Sequence, residues 1–190
     1  MSNFANFTED YFEKLRRALT LVPLKQLEIL ASEISSIWND GRQLYIFGNG
    51  GSAGNATHLA NDYLYGIGKK KTSGLKVHAL PANTSILTCL ANDEGYAKIF
   101  VEQLKTYAVS GDVALAFSGS GNSPNIIEAL TWCNENGVKT FGILGYSGGK
   151  AKDLCDTAIH TPVNDMQISE DLQIIVGHVI MQWLSKENKS

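Results

Sequence analysis

Val113-Ala114-Leu115-Ala116-Phe117-Ser118-Gly119-Ser120-Gly121-Asn122-Ser123-Pro124 compresses a strand, a loop and a helix start into consecutive residues. An unbroken apolar run bounded by turn formers reads as a strand buried on both faces. The helical pattern Asn125 to Cys133 follows it. Ser123 is a good N-cap. Pro124 suits the first helical turn, where its missing N–H has no intrahelical partner to lose. First-turn N–H groups then point outward, and the helix dipole favours an anion in front of them. The hydroxyls of Ser118, Ser120 and Ser123 add donors of suitable reach. The stretch therefore predicts capture of a phosphate group; the competing reading is an ordinary strand-to-helix turn that needed small residues.

Working outward, strands and helices alternate. Strands are expected at Gln43–Phe47, Lys76–Leu80, Val113–Phe117, Thr140–Leu144 and Ala158–Thr161. Helices are expected at Ala53–Leu64, from Ser85 to Leu90, and at Ile99–Ala108, Pro124–Asn136, Gly149–Leu154 and Ser169–Lys186. Such alternation predicts an α/β, doubly wound, five-stranded parallel sheet covered on both faces. Two helices precede the first strand. One is opened by Thr8-Glu9-Asp10; the other starts at Pro23 and carries Leu24, Leu27, Leu30, Ala31, Ile34 and Trp38 at helical spacing. Their apolar stripes would cover the sheet or meet another subunit. With no repeat, low-complexity tract or linker, residues 1–190 are expected to form a single domain: N-terminal helices over 1–40 and an α/β core over 41–190.

Composition narrows the classes. Net charge is −3, so the surface does not favour nucleic acid. The basic run Lys69–Lys71 is expected to be a solvated loop. No apolar stretch reaches the roughly 20 residues of a membrane helix, and Met1–Asp10 lacks a signal-peptide apolar region. Cys89, Cys133 and Cys155 are far apart and lie in largely apolar surroundings, which suits reduced core thiols and a cytoplasmic location.

A second small-residue loop, Gly48-Asn49-Gly50-Gly51-Ser52, directly follows the first strand. Ligands in open α/β sheets sit beyond the carboxyl ends of the strands, where both loops fall. A dinucleotide site would want an acid at the end of the second strand; Leu80-Pro81 stands there instead. Two hydroxyl- and amide-bearing loops on one sheet edge fit a phosphorylated sugar better.

Gly48-Asn49-Gly50-Gly51-Ser52, Ala91-Asn92-Asp93 and Ser118–Ser123, taken with His58 and His178, resemble the sugar isomerase (SIS) domain family. The match is closest to its phosphoheptose isomerase branch, which interconverts sedoheptulose 7-phosphate and D-glycero-D-manno-heptose 7-phosphate. The likeness spans nearly the whole chain. It implies the SIS fold, a homotetramer with active sites between subunits, and a zinc ion (Zn2+). By the same resemblance Ser118, Gly119, Ser120 and Ser123 would cradle phosphate. Asn49 and Ser52, with the backbone of Gly50 and Gly51, would meet sugar or phosphate oxygens, and Asp93 the substrate hydroxyls. His58 matches a metal ligand and His178 the catalytic histidine. The family carries Glu where this chain has Asp62, and Gln where it has Glu170, so either acid is a candidate for base or metal ligand.

The residues allow the implied chemistry. Moving a proton between C1 and C2 through an enediol needs a base and a group that stabilises the oxyanion. His58 and Asp62, four apart, share a helix face and suit joint metal ligation. Glu170 and His178, eight apart, are separated by roughly 12 Å of helical rise and about 80° of direction. One straight helix does not easily bring both to one ion, so the metal set His58, Asp62, Glu170 and His178 would need an irregular helix start or two subunits. His178, Glu170 and Asp62 are the catalytic candidates. A non-catalytic SIS module that binds a sugar phosphate or a protein partner is the competing function. So is an isomerase of another sugar phosphate.

Overall fold

The computed structural model describes residues 3–67 and 73–187. The Lys69–Lys71 run lies outside them. Two helices, α1 (Asn3–Thr20) and α2 (Leu24–Asp40), lead into β1 (Gln43–Gly48) and α3 (Gly51–Asn61), then β2 (Lys76–Ala79) and α4 (Thr84–Asp93). The chain continues through α5 (Val101–Tyr107), β3 (Val113–Ser118), α6 (Pro124–Glu135), β4 (Lys139–Leu144), α7 (Gly149–Leu154), β5 (Thr157–His160) and α8 (Met166–Glu187).

The sheet is wholly parallel, in the order β2-β1-β3-β4-β5. β1 therefore has its successor β2 on one side and β3 on the other. That reversal is the switch point of a doubly wound sheet, the place where the order 2-1-3-4-5 opens a crevice for ligands. In register, Gly48 stands opposite Phe117, so the loops after β1 and β3 leave the sheet side by side.

The apolar runs form strands because both faces are covered. Leu44, Ile46, Val113, Leu115 and Phe117 face one layer, with Leu30, Ile34 and Ile37 of α2, Leu59 and Tyr63 after β1, and Val176 and Ile180 of α8. Tyr45, Phe47, Ala114 and Ala116 face the other, with Leu104 of α5 and Ile126, Ala129, Leu130 and Cys133 of α6. Ala18, Ile168 and Leu172 join α1 to α8 in a smaller cluster.

Several boundaries differ from the sequence expectation. The first helix begins at Asn3 rather than Thr8, so Thr8 is an interior residue whose hydroxyl bonds Phe4 O at 2.9 Å. The last begins at Met166 rather than Ser169, because Asp165 Oδ1 accepts the Ile168 N–H and caps it. The helix expected over Ala53–Leu64 is regular only to Asn61, then widens into a π-helical turn over Asp62–Gly66. No described helix is long and apolar enough to cross a membrane.

Candidate functional site

The serine loop leaves β3 and ends at α6. Ser118 Oγ accepts the Gly121 N–H at 3.0 Å, and Ser120 Oγ accepts that of Asn122 at 3.3 Å. Each oxygen thus accepts a backbone N–H, and a serine hydroxyl that accepts keeps one O–H to donate. Ser123 sits at the N-cap of α6 with extended backbone, yet its side chain makes no capping bond. A residue placed to cap but not capping has its hydroxyl available to a ligand. Pro124 opens the helix. Gly121, at φ +67°, lets the loop lie on the turn before α7: a Cβ there would meet the Gly148 carbonyl, and the Ala151 N–H bonds Gly121 O at 2.9 Å.

The loop after β1 completes the cradle. Asn49, Ser52, Ser118, Gly119, Ser120, Ser123, Met166 and Glu170, with Phe117, line one cavity of ≈ 90 Å³. Ser52 and Ser118 are buried. Gly50 (φ +56°) precedes α3, and Gly51 begins it. A Cβ on Gly51 would fall on the Glu170 carboxylate, so the glycine brings that acid against the start of α3, where the helix dipole suits a negative charge.

Asn49 lines this cavity while its amide exchanges two hydrogen bonds with Asn125, at 2.9 and 2.8 Å. Tyr96 donates to the same Asn49 oxygen at 3.0 Å. The bonds with Asn125 hold the β1 loop against α6. Asp93 lies at the end of α4 and is bonded by Asn92 Nδ2 at 2.7 Å and Cys89 Sγ at 3.4 Å; it does not line the cavity.

Farther along α3 and α8, His58 Nε2 and His178 Nε2 approach to 2.9 Å. Asp62 Oδ2 lies 3.4 Å from the first and 3.3 Å from the second. Among the described residues these three are the only group whose spacing suits an ion. Glu170 is outside it. The separation expected from helical rise explains why: Glu170 and His178 belong to two different parts of the crevice. Two imidazole nitrogens and a carboxylate oxygen form a donor set that zinc accepts. Half of the His58 side chain is exposed and Asp62 is mostly covered, so the group is walled on one side and open on the other. The residues fit a divalent cation.

The sequence reading overlooked Asn125, Met166, Asn55 and Tyr63. Asn55 bridges α3 to α8 by donating to Glu170 O at 2.9 Å and to Gln173 Oε1 at 3.0 Å. Asn125 was detectable in principle, being polar at a buried position of an apolar pattern; the other three become visible only when α3 and α8 are brought together. The remaining histidines are structural: His78 stacks between Tyr45 and Tyr107 on the edge strand, and His160 contacts Tyr146 O at 3.0 Å. Burial pushes the Cys133 and Cys155 thiols up to about 12, as unreactive core groups.

A wholly parallel sheet of this order, with hydroxyl-lined loops at its switch point, defines a doubly wound α/β protein with a ligand crevice at that edge. The chain belongs to the SIS domain family, whose model matches residues 10–145. A phosphoheptose isomerase of Aneurinibacillus thermoaerophilus is 37% identical over 157 residues, 83% of this chain and 79% of that protein. One from Geobacter sulfurreducens is 37% identical over 174 residues, 92% of this chain and 89% of that protein. The solved phosphoheptose isomerase of Neisseria gonorrhoeae superposes with a TM-score of 0.87 at 24% identity, over 96% of this chain and 98% of that one.

Proposed function

We propose that this chain is an aldose–ketose isomerase that interconverts sedoheptulose 7-phosphate and D-glycero-D-manno-heptose 7-phosphate by proton transfer through an enediol. The relatives named above are phosphoheptose isomerases at 37% identity over most of both chains. The observation that carries the reading is the spacing of two chemistries along the same pair of helices. Ser52 and His58 are six residues apart on α3, and Glu170 and His178 eight apart on α8. The imidazole–carboxylate group thus lies roughly 9–12 Å of helical rise from the phosphate cradle, comparable with the reach of an extended seven-carbon sugar phosphate.

In this mechanism Ser118, Ser120 and Ser123 hold the phosphate, binding remote from the reacting carbons that positions the rest of the sugar. Asp62, at the far end of the crevice, moves the proton between C1 and C2. His178 serves as general acid and base at the sugar oxygens. Glu170 stands beside the cradle, where a carboxylate next to a phosphate is better suited to orient sugar hydroxyls than to take a carbon proton. His58, Asp62 and His178 would hold a zinc ion, which supplies Lewis-acid polarisation of a carbonyl oxygen when bound. Self-association is part of the proposal: Leu24, Leu27, Ala31, Val179 and Trp183 line an apolar groove between α2 and α8, a surface suited to a second copy.

The test is incubation of the purified protein with sedoheptulose 7-phosphate, with and without added zinc and with chelator. Formation of the aldose supports the isomerase, and its loss with chelator supports the ion. Absence of aldose under every condition, with the sugar phosphate still bound, refutes it in favour of a binding module.

A further inference from the structure

His58, Asp62 and His178 each have a chain neighbour in one buried contact. Leu59 follows His58, Tyr63 follows Asp62, and Gly177 precedes His178. Leu59 and Tyr63 are fully buried. The Tyr63 hydroxyl donates to Gly177 O at 3.0 Å, a bond between residues 114 apart in sequence. Gly177 has no side chain because the Leu59 isobutyl group occupies that space: a Cβ built there would fall on both Leu59 methyls. The widened turn that presents Tyr63 is held from its other side, since the Leu75 N–H bonds Tyr63 O at 3.1 Å.

We propose that Tyr63 and Gly177 are positioning residues that set the approach of α3 to α8 at which His58, Asp62 and His178 meet. The inference rests on reading those three as the metal-binding and reactive group. Three donor atoms on two helices converge only if the helices are locked in both distance and register. Gly177 permits the distance, because any larger residue would hold Leu59, and with it His58, farther from α8. The Tyr63 bond fixes the register, tying the residue after Asp62 to the residue before His178. Groups behind metal ligands act in this way, and losing one typically costs 10–100-fold in metal affinity or activity.

The experiment uses the full chain and zinc alone as the probe, with calorimetric binding to metal-stripped protein beside steady-state kinetics on sedoheptulose 7-phosphate. Tyr63→Phe keeps the ring and removes the bond. Zinc affinity and kcat should each fall about 10–100-fold, while KM changes less than about threefold, because Ser118, Ser120 and Ser123, which hold the phosphate, lie between β3 and α6 and not on the two displaced helices. Gly177→Ala should have the same signature, and Leu59→Ala combined with it should recover much of the loss by clearing the displaced methyls. The double variant keeps the proposal testable if Tyr63→Phe folds poorly. Wild-type zinc affinity and kcat in Tyr63→Phe overturn the proposal, as does failure of the double variant to improve on Gly177→Ala. His58→Ala separates the two readings: if it binds zinc as the native chain does, the metal assignment fails, and the positioning claim is then decided by the kcat of Tyr63→Phe.

Discussion

Replacing Ser123 by alanine separates the two roles open to a serine at the start of a helix. A serine that caps loses about 1 kcal/mol on truncation, which in a chain of this length lowers the Tm by about 2–4 °C. Ser123 has the extended backbone of an N-cap, φ −64° and ψ 126°, but its side chain makes no capping bond. Ser123→Ala should therefore melt within about 1 °C of the native protein. A hydroxyl donating to a phosphate is a charge-assisted bond worth roughly 1.5–3 kcal/mol, or about 10–100-fold. Because the phosphate is the same in ground and transition states, that loss should fall mainly on KM, with kcat within about threefold. Initial rates with sedoheptulose 7-phosphate and a thermal melt on the same preparation measure both. A melt several degrees lower with KM unmoved would show that Ser123 is a cap and nothing more, and the phosphate reading of the serine loop would fail with it.

Two further outcomes follow from the same geometry. Gly121→Ala meets both a left-handed backbone at φ +67° and the Gly148 carbonyl, so it should cost roughly 2–5 kcal/mol, the sum of the αL and overpacking costs, read from urea unfolding; a loss under 1 kcal/mol would mean the loop is not locked onto the turn before α7. Alkaline stability should decline, because the native thiols of Cys133 and Cys155 ionise only near pH 12 while the unfolded chain releases those protons near pH 9. Tyr11, hydrogen-bonded to Asp171 and pushed up to about 12 from 10.0, acts in the same direction. The native state holds more protons than the unfolded one across that window, so the free energy of unfolding falls as pH rises from about 9 to 12. A denaturation midpoint as high at pH 11 as at pH 8 would contradict this.

What could be read in advance depended on how local the physics was. β3 and its serine loop were legible because a strand buried on both faces demands an unbroken apolar run, and a helix start demands a particular set of small and capping residues within a few positions. The sheet order was not legible in this way: right-handed crossovers narrow the choices without selecting one, and β2-β1-β3-β4-β5 is a property of the folded chain. The relation between Glu170 and His178 was open to arithmetic: eight residues of straight helix keep both from one ion unless the helix start is irregular or two subunits contribute, and within one chain His178 lies with His58 and Asp62 while Glu170 lines the cavity with the serine loop. Asn49 shows where this stops. Its amide suits a sugar hydroxyl on chemistry alone, and nothing near it announces that Asn125, 76 residues on, presents a matching amide. Tyr63 and Gly177 are harder still. A tyrosine among apolar residues and a glycine inside a helix each look like a mild departure from pattern, and their meaning is joint: the glycine is small because Leu59 needs its space, and the hydroxyl is tolerated in the core because the glycine's carbonyl receives it. Single-residue propensity carries no information about such reciprocal contacts. They are nonetheless where a site of this kind gains its accuracy, because the side chains that touch substrate or metal can be no better placed than the backbones behind them.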